Sequence, residues 1–183
     1  MEALNDTIKE EEVIEGMQGE DLEGTEEGHE EGEVEYDEHV WLSLQNAGII
    51  CNLISDALGN IDEVNAANYS GNCNEYTAKL EALDKEYEAT VKNAARTTIL
   101  FGDRFPFRYM VDDYGLNYYA AFVGCSAETE ASFETITFLA GKVDELKLPA
   151  VLVIENSDQK IAQTIVSNTE RKNQNILVMD SMQ

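Results

Sequence analysis

The chain has 183 residues, of which 43% are hydrophobic, so it is long and apolar enough to build a core and is not disordered throughout. Its formal net charge is −25. Such a charge repels nucleic acids and anionic lipid surfaces, which argues against a phosphate-binding function and against a nucleic-acid partner.

Much of this charge lies near the N-terminus. Between Glu10 and Glu38 there are fifteen Asp or Glu residues and no Lys or Arg. The stretch is also rich in glycine and has no sustained apolar period, so residues 1–38 are predicted to form an acidic flexible loop. Three roles stay open for this loop: a solvated linker, a weak cation-gathering segment that includes His29, or a partner-binding tail.

Neither a targeting or membrane-spanning segment nor a cysteine motif is recognisable in the sequence. The first residues, MEALNDTIKEEE, have neither the basic nor the apolar region of a secretion signal, and no stretch is apolar and long enough to cross a bilayer. Cys51, Cys73 and Cys125 are widely spaced and form neither a disulfide framework nor a zinc-knuckle pattern. Cys125 could be a soft metal ligand, although a small buried cysteine is the commoner case.

The first helical pattern begins immediately after His39. Apolar residues recur at helical spacing over residues 42–58, with Ser43 as the predicted N-cap and Gly59 as the predicted stop. The pattern predicts a buried helix.

A second, longer helix is predicted over residues 72–95. Apolar residues recur along it at steps of three and four and form one face. On the solvent-exposed face, Glu–Lys pairs four residues apart stabilise the helix. At 1.5 Å per residue this helix is about 36 Å long, which is enough to link two lobes.

Residues 96–183 alternate between short apolar strands and helices. The strands are predicted over residues 97–103, 117–123, 150–156 and 175–181. This order predicts an α/β fold, in which a C-terminal lobe contains a four-stranded parallel sheet with flanking helices.

The carboxyl ends of the predicted strands carry mainly oxygen donors. Ligands of parallel sheets bind at this edge, and here it carries Asp103, Gly124–Cys125–Ser126, Glu155 and Asp180. No GxGxxG or GxxxxGK[ST] loop accompanies them, which argues against a nucleotide site. Oxygen donors near a histidine indicate a cation site instead, with Glu155 in a supporting or structural role.

The residues give little support to catalysis. The paired carboxylates, and Ser126 beside Cys125, have no neighbouring histidine in the sequence to activate them, and no GxSxG motif is present. A phosphoacceptor domain would need an acidic pair after the first strand and a lysine after the last, and no lysine follows the last strand. We therefore predict a binding protein and not an enzyme.

Four stretches resemble a known family. DEHVWLSLQNA (residues 37–47) is similar to the DPHxWLSPxNA signature of the substrate-binding proteins of zinc and manganese ABC transporters, the TroA-like or ZnuA-like family. YTAKLEALDKEYEATVKNA resembles the helix that links their lobes, and FGDRFPFRYMVDDYGLNYYAAF the start of their C-terminal lobe. VMDSMQ resembles the strand end that carries their last metal ligand.

The resemblance implies a set of metal ligands. In this family the metal is held between the two lobes, and His39 matches the histidine of the signature while Asp180 matches the C-terminal aspartate. The third position falls on Arg104, which cannot bind a cation, so Asp103 is the nearest competent residue. The fourth, a histidine on an early strand, has no counterpart. We predict His39, Asp103 and Asp180 as the metal ligands, with weaker binding than in a complete family member.

Zinc is the metal that a mixed set of histidine and carboxylate ligands favours. Manganese is the alternative, because it suits carboxylate-rich sites. Either Asp37 or Glu38 would accept a hydrogen bond from His39 and fix its tautomer.

The resemblance also implies a role in transport. The expected protein is a monomeric, extracytoplasmic component of a metal ABC transporter, lipid-anchored at the outer face of the cytoplasmic membrane or located in the periplasm, which delivers the cation to an ABC permease. The resemblance also implies that the chain is a fragment, without the family's signal, the opening of its N-terminal lobe and its last helix. Residues 39–71 would then form a partial N-terminal lobe, which the long linking helix of residues 72–95 joins to the C-terminal lobe. The competing hypothesis is a non-catalytic α/β interaction domain with an acidic tail and no metal.

Overall fold

A parallel β-sheet forms the centre of the C-terminal lobe. The computed structural model describes residues 8–19, 36–124 and 130–181. Four strands form the sheet in the order β2-β1-β3-β4, and all neighbours are parallel. They are β1 (Thr98–Phe105), β2 (Asn117–Val123), β3 (Ala150–Ile154) and β4 (Asn175–Met179). The α/β fold expected from the alternating pattern is confirmed, and β2 has the predicted bounds.

Helices cover both faces of this sheet. The lobe contains α3 (Arg108–Tyr114), α4 (Phe133–Leu146) and α5 (Lys160–Asn168). On one face, α4 and α5 pack on a core that includes Leu100 and Val151. On the other face, Phe101 packs with residues of α3 in a second core. Successive strand residues point to opposite faces, so each strand contributes to both cores.

The helix α5 lies directly on the backbone of β1. A Cβ atom added to Gly102 would lie 2.7 Å from the Cα of Ala162 in α5, which is closer than real side chains approach a backbone. A glycine at this position therefore permits the contact between helix and strand.

Two helices form a hairpin before the sheet. Helix α1 (Leu44–Ile61) begins after Ser43, whose Oγ accepts a hydrogen bond from the Asn46 N–H at 3.0 Å, as an N-cap does. A short 3-10 turn (Glu63–Asn65) connects it to α2 (Ala66–Lys92).

Two predicted helix ends differ in the structure. The expected stop at Gly59 is wrong, because α1 continues to Ile61. Within a helix a glycine costs only about 1 kcal/mol, and here it lies against Ala66, so the close approach of the two helices outweighs the cost. Helix α2 begins at Ala66, earlier than the predicted residue 72.

The prediction that α1 is a buried helix is also wrong. Leu53, Ile54 and Leu58 are 37%, 54% and 41% exposed. The apolar stripe of α2 is similarly open, since Tyr76 and Leu83 are exposed. Two helices that pack mainly on each other bury one narrow strip, and helical periodicity predicts which residues share a face but not what covers that face.

Residues 8–19 pack against the C-terminal lobe. The Gln18 N–H donates to the Ala121 carbonyl of β2 at 2.9 Å, Met17 is buried, and Gly16 lies against the ring of Phe138 in α4. The sequence placed this segment in a flexible loop because charge dominates its composition. A few apolar residues among the charged ones, such as Met17, are enough to pack the segment against the lobe. Residues 1–7 and 20–35, with His29, lie outside the described residues.

None of the helices within the described ranges is long and apolar enough to span a membrane. The domain boundaries predicted from the sequence remain predictions.

Candidate functional site

His39 is buried and held by its neighbour Asp37. The two residues are 3% and 5% exposed. One carboxylate oxygen of Asp37, Oδ1, lies 2.8 Å from the backbone nitrogen of His39 and 2.8 Å from its Nδ1. An imidazole whose Nδ1–H donates to a carboxylate presents Nε2 as the nitrogen that can bind a cation. Asp37, one of the two predicted acceptors, is thus in contact with His39, whereas Glu38 is exposed.

The loop that carries this pair is tied to two other parts of the molecule. The Tyr109 hydroxyl of α3 donates to the Asp37 carbonyl oxygen at 2.8 Å. The Lys9 N–H donates to the same hydroxyl at 3.1 Å, and the Asp37 N–H donates to the Lys9 carbonyl at 2.9 Å. Burial raises the pKa of the Tyr109 phenol, so it remains a protonated donor. These bonds hold the His39 loop on the lobe.

Gly124 brings His39 to the carboxyl edge of the sheet. This glycine follows β2, and a Cβ atom placed on it would lie 3.1 Å from Cε1 of His39 and 3.1 Å from the carbonyl oxygen of Phe105 at the end of β1. The imidazole therefore lies over the ends of β1 and β2, at the edge where parallel sheets bind ligands. The sequence located Gly124 at a strand end but did not reveal this contact.

Asp103 lies within β1 and carries an unsatisfied oxygen. Its Oδ1 accepts a hydrogen bond from the Arg104 N–H at 2.8 Å, and the pairing of β1 with β2 shifts register between Phe101 and Arg104. Its Oδ2 is buried and has no hydrogen-bond partner among the residues that the structure describes. A buried carboxylate oxygen without a partner is costly, and a bound cation is one way to satisfy it.

Asp180 and Glu155 also follow the carboxyl ends of strands, but on the β3–β4 side of the sheet. Asp180 follows β4 and is exposed. Glu155 follows β3, and its carboxylate accepts hydrogen bonds from the Ser181 N–H at 2.7 Å and the Ser181 hydroxyl at 2.8 Å. Glu155 thus anchors the chain after β4, in line with the predicted structural role.

The strand order separates the predicted ligands. Neighbouring strands lie about 4.8 Å apart, so the end of β4 is about 10 Å from the end of β1 and about 14 Å from the end of β2. In the part of the chain that the structure describes, no three His, Cys, Asp or Glu side chains are close enough together to hold a metal ion. His39 meets Asp37, but the three predicted ligands do not form one cluster. Cys125 and Ser126 lie outside the described residues.

Two acidic residues near this edge were not predicted. Glu11 and Glu12 line a cavity of about 10 Å³, the size of a single water, together with Asp37 and Gly124. Glu12 is paired with Arg108 at 2.7 Å. No local signal could distinguish these carboxylates from the many others in the acidic stretch, because the fold of residues 8–19 alone places them here.

Known proteins of one kind resemble this chain. The model of a family described as zinc-uptake complex component A, periplasmic (ZnuA), matches residues 1–183. The zinc-binding protein AdcA of Streptococcus pyogenes is 31% identical over 141 residues, which are 77% of this chain and 26% of AdcA. The manganese ABC transporter substrate-binding lipoprotein PsaA of Streptococcus mitis is 31% identical over 135 residues, which are 73% of this chain and 43% of PsaA.

Solved structures show the same fold. A crystal structure of ZnuA has a TM-score of 0.72 and 20% identity, and the match covers 82% of this chain and 54% of that one. The AdcAII protein of Streptococcus pneumoniae has a TM-score of 0.70 and 25% identity, with 87% and 58% covered. The chain therefore spans less than half the length of these curated relatives and little more than half of these solved structures.

Proposed function

The chain belongs to the family of the periplasmic zinc-uptake complex component A, the metal-binding components of ABC transporters, and on that premise we propose that it captures a divalent cation and delivers it to a membrane permease. The relatives named above are zinc- or manganese-binding proteins and transport components, not enzymes. Binding without chemistry is the function that this chain supports best.

One observation carries the proposal. A buried imidazole, His39, is oriented by the Asp37 carboxylate at the carboxyl edge of a parallel sheet. Asp103 lies two residues before the end of β1, and its buried Oδ2 has no hydrogen-bond partner within the described part of the chain. A fixed nitrogen donor and an unsatisfied carboxylate oxygen are the donors that a cation needs.

Zinc is the proposed cargo. Nitrogen and carboxylate ligands suit zinc, and AdcA, which this chain resembles, is named for zinc. Manganese is the alternative, supported by the likeness to PsaA. Because the chain resembles both a zinc-binding and a manganese-binding relative, the comparisons do not distinguish the two metals. A ligand set of one imidazole and two carboxylates can bind either.

Capture requires a local movement. His39 lies over the ends of β1 and β2, whereas Asp180 follows β4, about 10 Å from β1. A cation that recruits Asp180 to His39 and Asp103 would draw the end of β4 toward the centre of the edge. Incomplete preorganisation costs affinity, so we expect a dissociation constant in roughly the micromolar range.

Calorimetric titration of the chain with zinc and with manganese tests the proposal. The expected result is one site, with affinity reduced about tenfold or more in His39→Ala and in Asp180→Ala. The matched control is His29→Ala, which removes the other histidine of the chain and should leave this site unchanged.

Two outcomes would contradict the proposal. Equal losses in His29→Ala and His39→Ala would indicate diffuse binding by the acidic stretch. No saturable binding of either metal would favour the competing function, a metal-free α/β interaction domain, which the lack of a three-donor cluster among the described residues supports.

The proposed location follows from the proposed role. A component that hands a cation to a permease works outside the cytoplasmic membrane, held there by a lipid anchor or confined to the periplasm. PsaA, a relative, is named a lipoprotein. We propose the same extracytoplasmic location, and a monomeric state, for the protein to which this chain belongs.

A further inference from the structure

Two of the three cysteines lie in the α1–α2 hairpin, one on each helix. Cys51 is half-buried in α1, Cys73 is buried in α2, and both are free thiols in this structure. They line the same groove between the helices, which has a volume of about 290 Å³. The Cys73 Sγ lies 3.5 Å from Oδ1 of Asn52, the residue next to Cys51. The two thiols therefore occupy one level of the hairpin.

The packing register supports this placement. Near the turn, Gly59 lies against Ala66, where a Cβ atom on the glycine would be 3.4 Å from that of the alanine. About two turns further from the connection, Asn52 meets Cys73. Both contacts belong to one antiparallel register, and the small residues at the turn let the helices approach closely. A disulfide needs Cα atoms roughly 4.4–6.8 Å apart, which only closely packed helices offer.

We propose that Cys51 and Cys73 form an intramolecular disulfide that fixes α1 to α2. Neither thiol belongs to the candidate metal site, so the inference does not rest on the proposed function. Nothing in the spacing of the cysteines along the sequence predicts this pair. The fold brings them together.

The chemistry is thiol–disulfide exchange with a disulfide donor, such as oxidised glutathione or a protein disulfide oxidant. The thiolate of Cys51, the more accessible residue, attacks one sulfur of the donor and releases the first thiolate. The Cys73 thiolate then attacks Cys51 in the mixed disulfide and releases the second. The two cysteines lose two protons and two electrons, and the donor is reduced to two thiols.

Burial raises the pKa of the Cys51 thiol, and the nearby Cys73 raises it further. Since the thiolate is the nucleophile, the bond should form slowly at neutral pH and faster as the pH rises.

A disulfide at this position would stabilise the α1–α2 hairpin. Within the described part of α1 and α2, a single residue of each helix, Asn46 and Cys73, is buried, so tertiary packing stabilises these helices weakly. A cross-link that closes the loop between residues 51 and 73 restricts the unfolded hairpin.

Peptide mapping after oxidation tests the proposal. The full chain is incubated with oxidised glutathione at pH 8, blocked with an alkylating agent, and digested without reduction by a glutamate-specific protease. This protease cleaves after Glu63, between the two cysteines, whereas the nearest lysine or arginine lies outside the interval, at Lys79. The expected product is one species that contains both cysteine peptides and separates on reduction.

Matched variants complete the test. Cys125→Ser should still form the bond, whereas Cys51→Ser and Cys73→Ser should not. The oxidised parent should be cut within the hairpin on the order of tenfold more slowly than the reduced chain. Separate glutathione adducts on the two cysteines, a bond to Cys125, or disulfide-linked dimers would each overturn the proposal.

Discussion

At the scale of single residues, the candidate site depends on the few atoms around His39. Asp37 uses one carboxylate oxygen to hold both the backbone and the ring of His39. Gly124 leaves the space in which that ring lies. In β1, Oδ2 of Asp103 is buried and has no hydrogen-bond partner among the described residues, while its Oδ1 accepts from the Arg104 N–H. We therefore propose Asp103, rather than the neighbouring arginine, as the residue of β1 that would bind a cation.

The first prediction concerns Asp37. In Asp37→Asn the amide oxygen can keep both hydrogen bonds, but without the negative charge it holds the Nδ1–H more weakly and leaves Nε2, the nitrogen proposed to bind the cation, a poorer donor. Zinc affinity should fall by roughly tenfold or more, while the fold persists. Calorimetric titration measures the affinity.

Glu38→Gln is the control for this variant. It removes the same charge one residue further along the chain, from an exposed side chain. If both variants lose affinity equally, the effect is general electrostatics and Asp37 does not orient His39.

At the scale of elements, two glycines let other parts of the chain lie close to β1 and β2. Gly102 in β1 contacts Ala162 of α5, and Gly124 after β2 contacts the ring of His39. Helix α5 lies on Gly102 so closely that a methyl group would meet its backbone. The next residue along β1 is Asp103. The packing of α5 therefore bears on the strand segment that carries a proposed ligand.

The second prediction is that Gly102→Ala destabilises the lobe by roughly 1–3 kcal/mol, because the added methyl group must displace α5 from β1. Chemical denaturation measures the free energy of unfolding. The matched variant is Gly141→Ala in α4, an exposed position where the added group meets no atom outside the helix's own backbone within 4 Å among the described residues. It should be neutral or more stable by about 0.5–1 kcal/mol, since alanine favours a helix. Equal effects at both positions would disprove the close contact.

At the scale of the whole molecule, the core is distributed unevenly. The two buried clusters lie on the faces of the sheet, and they include residues of all the lobe's helices and of the segment 8–19. The α1–α2 hairpin joins this lobe through fewer contacts. One is the hydrogen bond from the Tyr114 hydroxyl to Asp84 at 2.9 Å, and another is the stacking of the Tyr87 and Tyr114 rings.

The third prediction follows from this distribution. In native-state hydrogen exchange the amides of β1 and β3 should be the most protected, and those in the middle of α1 and α2 should exchange faster, because local opening of the hairpin exposes little additional apolar surface. Mass spectrometry of the exchanging chain measures this order. Equal protection of hairpin and sheet would mean that they unfold as one unit.

Oxidation offers an internal control for the exchange experiment. If Cys51 and Cys73 are linked, protection should rise in the hairpin and remain unchanged in the sheet. An increase confined to the sheet would be inconsistent with the proposed bond.

Much of the fold follows from local patterns in the sequence. The predicted bounds of β2 and the predicted N-cap Ser43 are both confirmed, because short apolar runs and capping residues act over a few positions. The order of strands and helices sufficed to predict a parallel sheet. His39 was identified as a candidate ligand from the residues around it.

The tertiary structure alone decided the remaining features. It placed Gly124 under the His39 ring, left Asp103 with a buried oxygen, separated Asp180 from β1 by the position of β3, and brought Cys51 to Cys73. It also left α1 uncovered and seated residues 8–19 on the lobe. Periodicity and capping depend on neighbours in the sequence, whereas burial and the meeting of distant side chains depend on which surfaces pack, and packing is set by the whole chain at once.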